Sequence, residues 1–200
     1  MLILVRHGES TLNAAGALAG RLDAPLTERG RAQAIAAGGV LEVVNELRSS
    51  SLLRARETAA LLGTAQPASI DDRFVEIDYG SLDGAPLGTV PAELWDRWTT
   101  DASFAPDGGE SLVMLGARVA DALEELFSTP GIGARSDEGD VVVVSHVSPI
   151  KAAVVWALDA DPLIAWRTRL SNGSLTRIDL GPRGPQLRSF NETPPMLAVP

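Results

Sequence analysis

Two stretches decide the fold: Leu2-Ile3-Leu4-Val5-Arg6-His7 and Val141-Val142-Val143-Val144-Ser145-His146. Each is a run of four aliphatic residues closed by a polar residue and a histidine, and these are the two histidines of the chain. Unbroken aliphatic runs are the mark of parallel strands buried on both faces. In open α/β sheets, ligands bind just beyond the carboxyl ends of such strands. If the two runs are neighbours, both imidazoles point into one cleft.

Outward from these runs the pattern alternates strand and helix, which argues for a mainly parallel sheet covered by helices. Thr27 is a plausible N-cap for a helix to about Val44, weakened by Gly38-Gly39. A strand is expected over Glu46–Ser50, a helix over Leu52–Leu62 and a strand over residues 69–75. Pro86 to Thr100 reads as a loop and helix whose Trp95 and Trp98 could cover a pocket. Leu112, Leu115, Val119, Ala122 and Leu126 recur at helical spacing, predicting a helix over about 110–127 that Pro130-Gly131 ends. Ser148-Pro149 resemble an N-cap and first residue of a helix to about Leu158. Strands near 174–180 and 185–190 flank the hairpin turn Gly181-Pro182-Arg183-Gly184, and Pro194 to Pro200 read as a tail.

Two hundred residues fit a single domain over 1–200, and 45 % hydrophobic residues suit a globular protein. With no cysteine, disulfides, thiolate nucleophiles and zinc–sulfur sites are excluded. Leu2 opens a strand with no charged segment before it, and no apolar run nears the roughly 20 residues of a membrane span. A cytoplasmic location is the default expectation, without membrane contact. Seventeen basic against 26 acidic residues leave a net charge of −9, a surface that repels nucleic acid and anionic membranes. A small anionic substrate remains compatible if a few arginines build a local positive pocket.

Arg6-His7-Gly8-Glu9-Ser10 is the sharpest motif, and others follow in order: Asn13; Pro25-Leu26-Thr27 with Gly30 and Gln33-Ala34; Ser49-Ser50 before Leu53-Arg54-Ala55 and Thr58-Ala59; Glu76 with Tyr79-Gly80 and Gly84; Gly108-Gly109-Glu110-Ser111; Ser145-His146. Together they resemble the histidine phosphatase superfamily, which includes the cofactor-dependent phosphoglycerate mutases. The resemblance implies a three-layer α/β/α sandwich with a mainly parallel, mixed sheet. It also implies phosphoryl transfer through a phosphohistidine on His7.

A physical reading of the residues stands beside the resemblance. Phosphoryl transfer needs an in-line nucleophile, cations to gather charge and an acid for the leaving oxygen. A histidine with an ordinary pKa near 6.5 is largely neutral at pH 7 and can be that nucleophile. An isolated histidine is more often a satisfied core residue; one between Arg6 and Gly8 is not isolated. Gly8 is expected to let a phosphate approach the backbone. Arg54 falls in the first turn of its helix, where a cation opposes the macrodipole, so a bound anion is the better explanation. Arg6 and Arg54 would clamp the phosphoryl oxygens. By the resemblance, His146 donates to a phosphoryl oxygen across from His7 and Asn13 donates through its amide; Val147 disfavours positive φ, but its N–H could still meet the phosphate. Glu76 beside Asp78 would by itself read as a surface carboxylate; the resemblance makes it the proton donor and later the base for water, a role that needs it protonated beside a phosphate dianion.

No metal site or cofactor is expected, since neither a His-x-x-x-His pattern nor a nucleotide-binding glycine loop is present. Mutases carry a longer insertion with a lysine for a second anionic group. Here the segment from Gly84 to Gly108 has no lysine and one basic residue, Arg97, so hydrolysis is expected over mutase chemistry. Many relatives follow the second histidine with Gly-Gly; Val147-Ser148-Pro149 stands here, as in a subset of small-molecule phosphatases including those acting on α-ribazole phosphate. A catalytically silent phosphate-binding module is the contrasting expectation, disfavoured because His7, Arg54, Glu76 and His146 are all present. The sequence does not specify the substrate or the oligomeric state.

Overall fold

The computed structural model describes residues 1–128, 139–181 and 183–196. A six-stranded sheet forms the centre, built from β1 (Leu2–Arg6), β2 (Val44–Ser49), β3 (Ser69–Ile70), β4 (Asp140–Ser145), β5 (Leu175–Gly181) and β6 (Gly184–Glu192). Its order is β3-β2-β4-β1-β5-β6, with the first four strands parallel and the last two antiparallel. The two opening runs are indeed neighbours. Leu2 pairs with Val141 and Arg6 with Ser145, so the next residue on each strand is a histidine.

Side chains alternate across a strand, so four consecutive aliphatics need apolar cover on both faces. Leu2, Leu4, Val141 and Val143 pack under α5 (Leu112–Ser128) and α6 (Val147–Leu158), against Leu115, Val119, Leu123 and Ile150. Ile3, Val5, Val142 and Val144 pack on the other face beneath α2 (Glu28–Gly38) and α3 (Leu53–Leu61), against Ala37, Ala55 and Ala59. All eight strand side chains are buried. Each large aliphatic so covered contributes about 1.5–3 kcal/mol. This is the expected three-layer arrangement.

Several boundaries differ from the sequence reading. The helix expected to reach Val44 stops at Gly38, where a Cβ would lie 2.1 Å from the Leu62 carbonyl oxygen, so α2 and the end of α3 meet backbone to backbone. The expected strand 69–75 is a strand only at Ser69–Ile70. Asp71 then accepts from the Arg73 N–H and caps a 3-10 turn over Asp72–Phe74, a local bond that competes with strand pairing. Helix α6 starts at Val147 with His146 as its N-cap, two residues earlier than Ser148-Pro149 implied. Pro149 still falls in the first turn, where no helical N–H is needed. Pro130-Gly131, Pro182 of the hairpin turn and the end of the tail lie outside the described residues. No described helix is long and apolar enough to cross a membrane.

A further apolar cluster caps the carboxyl end of the sheet. Trp98 of α4 (Ala92–Thr100) is buried with Leu18, Val90 and Phe104, its ring 5.7 Å from Tyr79 and 6.1 Å from Phe104. Trp98 is thus the centre of a small core, while half-buried Trp95 lies tilted against it at 5.4 Å and meets Trp166 edge-on.

The loop after β1 is held by a glycine–glycine contact. A Cβ on Gly8 would lie 2.1 Å from the Gly30 carbonyl oxygen, and one on Gly30 equally close to that of Glu9. Gly30→Ala should therefore force the His7 loop away from α2, costing about 1–3 kcal/mol and lowering activity. Urea unfolding and steady-state kinetics on the variant check both effects.

Candidate active site

The β1–β4 register brings the His7 and His146 rings to a centroid distance of 5.0 Å. Both are buried. The His7 N–H donates to the Ser145 carbonyl, and the Ser145 hydroxyl to that of Phe74, tying both strand ends to the segment that carries Glu76.

The tautomer of His7 follows from its partners. Nδ1 lies 2.7 Å from the Gly8 carbonyl oxygen, an acceptor only, so Nδ1 carries the proton. Nε2 then holds a lone pair and accepts from the Arg54 Nε at 3.2 Å. Burial first, then Arg54 and Arg6, push the His7 imidazolium well below its ordinary range. The same causes, with the neighbouring His7 and Arg118, act on His146. Both rings are neutral at pH 7.

Arg54 is fully buried in the first turn of α3, the position where it opposes the macrodipole. Backbone carbonyls hold it: Nη1 donates to Leu22, and Nη2 to Ala19 and Gly20, at 2.7–2.9 Å. Burial lowers its pKa against the opposing pull of Glu76, Asp83 and Asp23. Arg6 is pulled down to about 10 by burial, with Glu76 and Tyr79 raising it, and stays cationic. It donates through Nη1 to the Leu170 carbonyl. A buried cation, Arg54, and a half-buried one, Arg6, thus sit beside Glu76 in a protein of net charge −9.

Two buried nitrogens in this cluster have no hydrogen-bond partner among the described residues: Arg6 Nε and His146 Nδ1. A buried polar group left unpaired costs about 1–3 kcal/mol. The other ring nitrogen of His146, Nε2, meets the Ser50 hydroxyl at 2.6 Å. When Ser50 donates, Nδ1 carries the proton and becomes a second unpaired donor beside Arg6.

Glu76 is buried, and its Oε1 accepts from the N–H groups of Ile77 and Ser148. The second bond gives the N-terminus of α6 an acceptor that its own N-cap does not supply. Asn13 Oδ1 accepts from the Ser10 N–H, the Ser10 hydroxyl and Asn172 Nδ2, which leaves its own amide nitrogen as the free donor. Val147 is the first residue of α6, in right-handed helix directly after His146, so its N–H is among those a helix start leaves unpaired. His7, Arg6, Arg54, His146 and Glu76 converge, with Asn13 and Val147 at the rim.

The expectation for Gly8 needs correcting. Its missing side chain makes room for the Gly30 backbone rather than for an anion, and its N–H donates to Thr58 Oγ1. Arg118, not flagged in the sequence, donates to Glu110 through Nε and Nη2 and to the Arg73 and Glu76 carbonyls. The Gly-Gly-Glu-Ser motif therefore acts through Arg118 on the Glu76 segment. The available signal was a cation at 118, three residues from Leu115 on the apolar stripe of α5. No group of three His, Asp or Glu side chains among the described residues is placed to hold a metal ion.

Residues 2–193 match the family model described as histidine phosphatase superfamily, branch 1. The chain belongs to that superfamily and is a phosphoric monoester hydrolase. It is 36 % identical over 187 residues to glucosyl-3-phosphoglycerate phosphatase of Mycolicibacterium vanbaalenii, covering 90 % of this chain and 83 % of the relative. Phosphoserine phosphatase 1 of Hydrogenobacter thermophilus is 34 % identical over 200 residues, with 96 % and 92 % covered. The solved mycobacterial glucosyl-3-phosphoglycerate phosphatase in complex with VO3 superposes with a TM-score of 0.85 at 31 % identity, covering 96 % of this chain and 98 % of that one.

Because both histidines are held neutral by the fold, the unfolded chain binds up to two more protons below its ordinary histidine pKa. Folding stability should fall as pH drops through about 6.5, with a slope approaching 2–3 kcal/mol per pH unit. Urea midpoints between pH 7 and 5.5 read the slope; the two-proton slope should halve in His146→Asn.

Proposed function

We propose that the protein hydrolyses a small phosphorylated metabolite through a phosphohistidine on His7. Two buried nitrogens without a partner among the described residues, Arg6 Nε and His146 Nδ1, beside a neutral His7 whose Nε2 lone pair meets the Arg54 Nε–H, carry this reading. The phosphoryl oxygens take up Arg6, Arg54 and His146, with the Asn13 amide and the Val147 N–H completing the seat. Interactions aimed at charge that develops on those oxygens lower the barrier without reorganisation.

In the first step the His7 Nε2 attacks phosphorus in line with the ester oxygen. The Nε2–P bond forms, the P–O ester bond breaks, and Glu76 gives its proton to the departing alkoxide. The Nδ1–H bond to Gly8 steadies the charge that arises on the ring. In the second step water attacks phosphorus while Glu76, now a carboxylate, takes the water proton. The Nε2–P bond breaks, inorganic phosphate leaves and neutral His7 is restored. With Oε1 occupied by two N–H donors, Oε2 is the oxygen of Glu76 that carries the proton.

Hydrolysis is favoured over transfer to a second substrate position by the fate of Arg97. This lone basic residue of the 84–108 segment lies over the Phe104 ring, 4.0 Å from its centroid, and is engaged there. The relatives named as phosphatases of glucosyl-3-phosphoglycerate and phosphoserine support a small phosphorylated substrate. The protein is further proposed to need no metal or cofactor and to act in the cytoplasm.

The test is p-nitrophenyl phosphate hydrolysis with and without EDTA. Activity should survive EDTA, disappear in His7→Ala, and fall about 10²–10³-fold in kcat for His146→Ala. Activity that requires added metal, or that persists in His7→Ala, contradicts this reading.

A further inference from the structure

Resting on that reading, we propose that Asp83 is the positioning residue for Arg54, acting through two peptide groups sandwiched between carboxylate and guanidinium. The Gly20 N–H donates to Asp83 Oδ1 at 2.8 Å, and those of Arg21 and Leu22 to Oδ2 at 2.6 and 2.9 Å. On the other side of the same loop, Arg54 donates to the carbonyls of Ala19, Gly20 and Leu22.

These bonds fall on shared peptide units. The Ala19 carbonyl and the Gly20 N–H belong to one peptide group, the Gly20 carbonyl and the Arg21 N–H to the next. In a trans peptide the N–H and C=O point in opposite directions. Each unit therefore presents its positive end to the carboxylate and its negative end to the guanidinium. Anion, two aligned dipoles and cation form one electrostatic chain.

The indirect route has a chemical advantage. A carboxylate bonded directly to Arg54 would cancel its charge, whereas the loop carbonyls take its Nη donors and leave the charge to a phosphoryl group. Through the loop, Asp83 fixes where the guanidinium sits and leaves Nε aimed at His7 Nε2. Asp83 is itself fixed from behind. Gly84, at φ +81°, turns the chain so that its N–H donates to the Leu18 carbonyl, and the Leu18 N–H returns a bond to Ala85. The contact also explains Gly20: a Cβ there would stand 2.9 Å from Asp83 Oδ1 and 2.8 Å from the Tyr79 ring. Glu76 and Asp83 thus leave the same segment, one for the proton and one for the cation.

Asp83→Asn keeps the volume but replaces one acceptor oxygen by a donor facing a backbone N–H, so the loop must turn and Arg54 must shift. The readouts are the inhibition constant for inorganic phosphate, the pH profile of kcat/KM and the melting temperature. Inhibition by phosphate should weaken, and kcat/KM fall, by roughly ten- to a hundredfold. The acid limb should move to higher pH, because a displaced Arg54 no longer depresses His7. Gly20→Ala pushes on the same carboxylate from the opposite side and should reproduce both changes; it decides the matter if Asp83→Asn does not fold. Variants that fold with wild-type phosphate inhibition and an unmoved acid limb overturn the proposal, whatever their melting temperature. Arg54→Ala separates the two levels of inference. If it retains wild-type phosphate inhibition, the phosphate seat itself is wrong; if it loses inhibition while Asp83→Asn and Gly20→Ala keep it, the role of Asp83 alone falls.

Discussion

The register of β1 against β4 is the constraint on which the site depends. Arg6 pairs with Ser145, and one residue further each parallel strand ends in histidine. A slip of one residue would turn the Leu2–Val5 side chains to the opposite faces. It would also separate the imidazoles. The cores on both faces of the sheet, filled by alternate residues of the same two strands, therefore hold the histidines at their 5.0 Å spacing. Packing and chemistry are fixed by one alignment.

Around this pair, burial sets the protonation states. Desolvation and the adjacent arginines keep His7 and His146 neutral, and the Gly8 carbonyl decides which nitrogen of His7 keeps its proton. The arginines escape neutralisation because the groups they donate to are backbone carbonyls and the His7 ring, not carboxylates. Ion pairing is displaced to the periphery, where Glu110 takes Arg118 and Asp71 takes Arg48 and Arg73. An acidic protein thereby keeps a small cationic interior suited to a phosphoryl group.

Much of this was legible in the chain. The aliphatic runs announced a doubly covered sheet, and Arg54 stood out as a cation where a helix start disfavours one. The order of motifs gave His7, Glu76 and His146 their places. Gly8 was legible as a special glycine, but its reason was not, because the Gly30 carbonyl it accommodates comes from a distant helix. The strand expected over residues 69–75 failed at Asp71, whose side chain captures the chain into a turn. Asp83 carried no local pattern of its own, and although Ser50 stood in the Ser49-Ser50 motif and Arg118 beside the apolar stripe of α5, neither pattern showed what they bind. Their partners are one imidazole, the Glu110 carboxylate and a set of backbone groups, and backbone groups look alike in every sequence until the fold presents them.

The central claim is that this geometry makes His7 Nε2 the atom that accepts the phosphoryl group. The most direct measurement is rapid quenching with 32P-labelled substrate at alkaline pH, followed by peptide mapping of the retained label. The account predicts an acid-labile, alkali-stable label on the peptide holding His7, formed and consumed at rates matching turnover and still present with EDTA. Turnover without any such label, or label on His146 in place of His7, would contradict it.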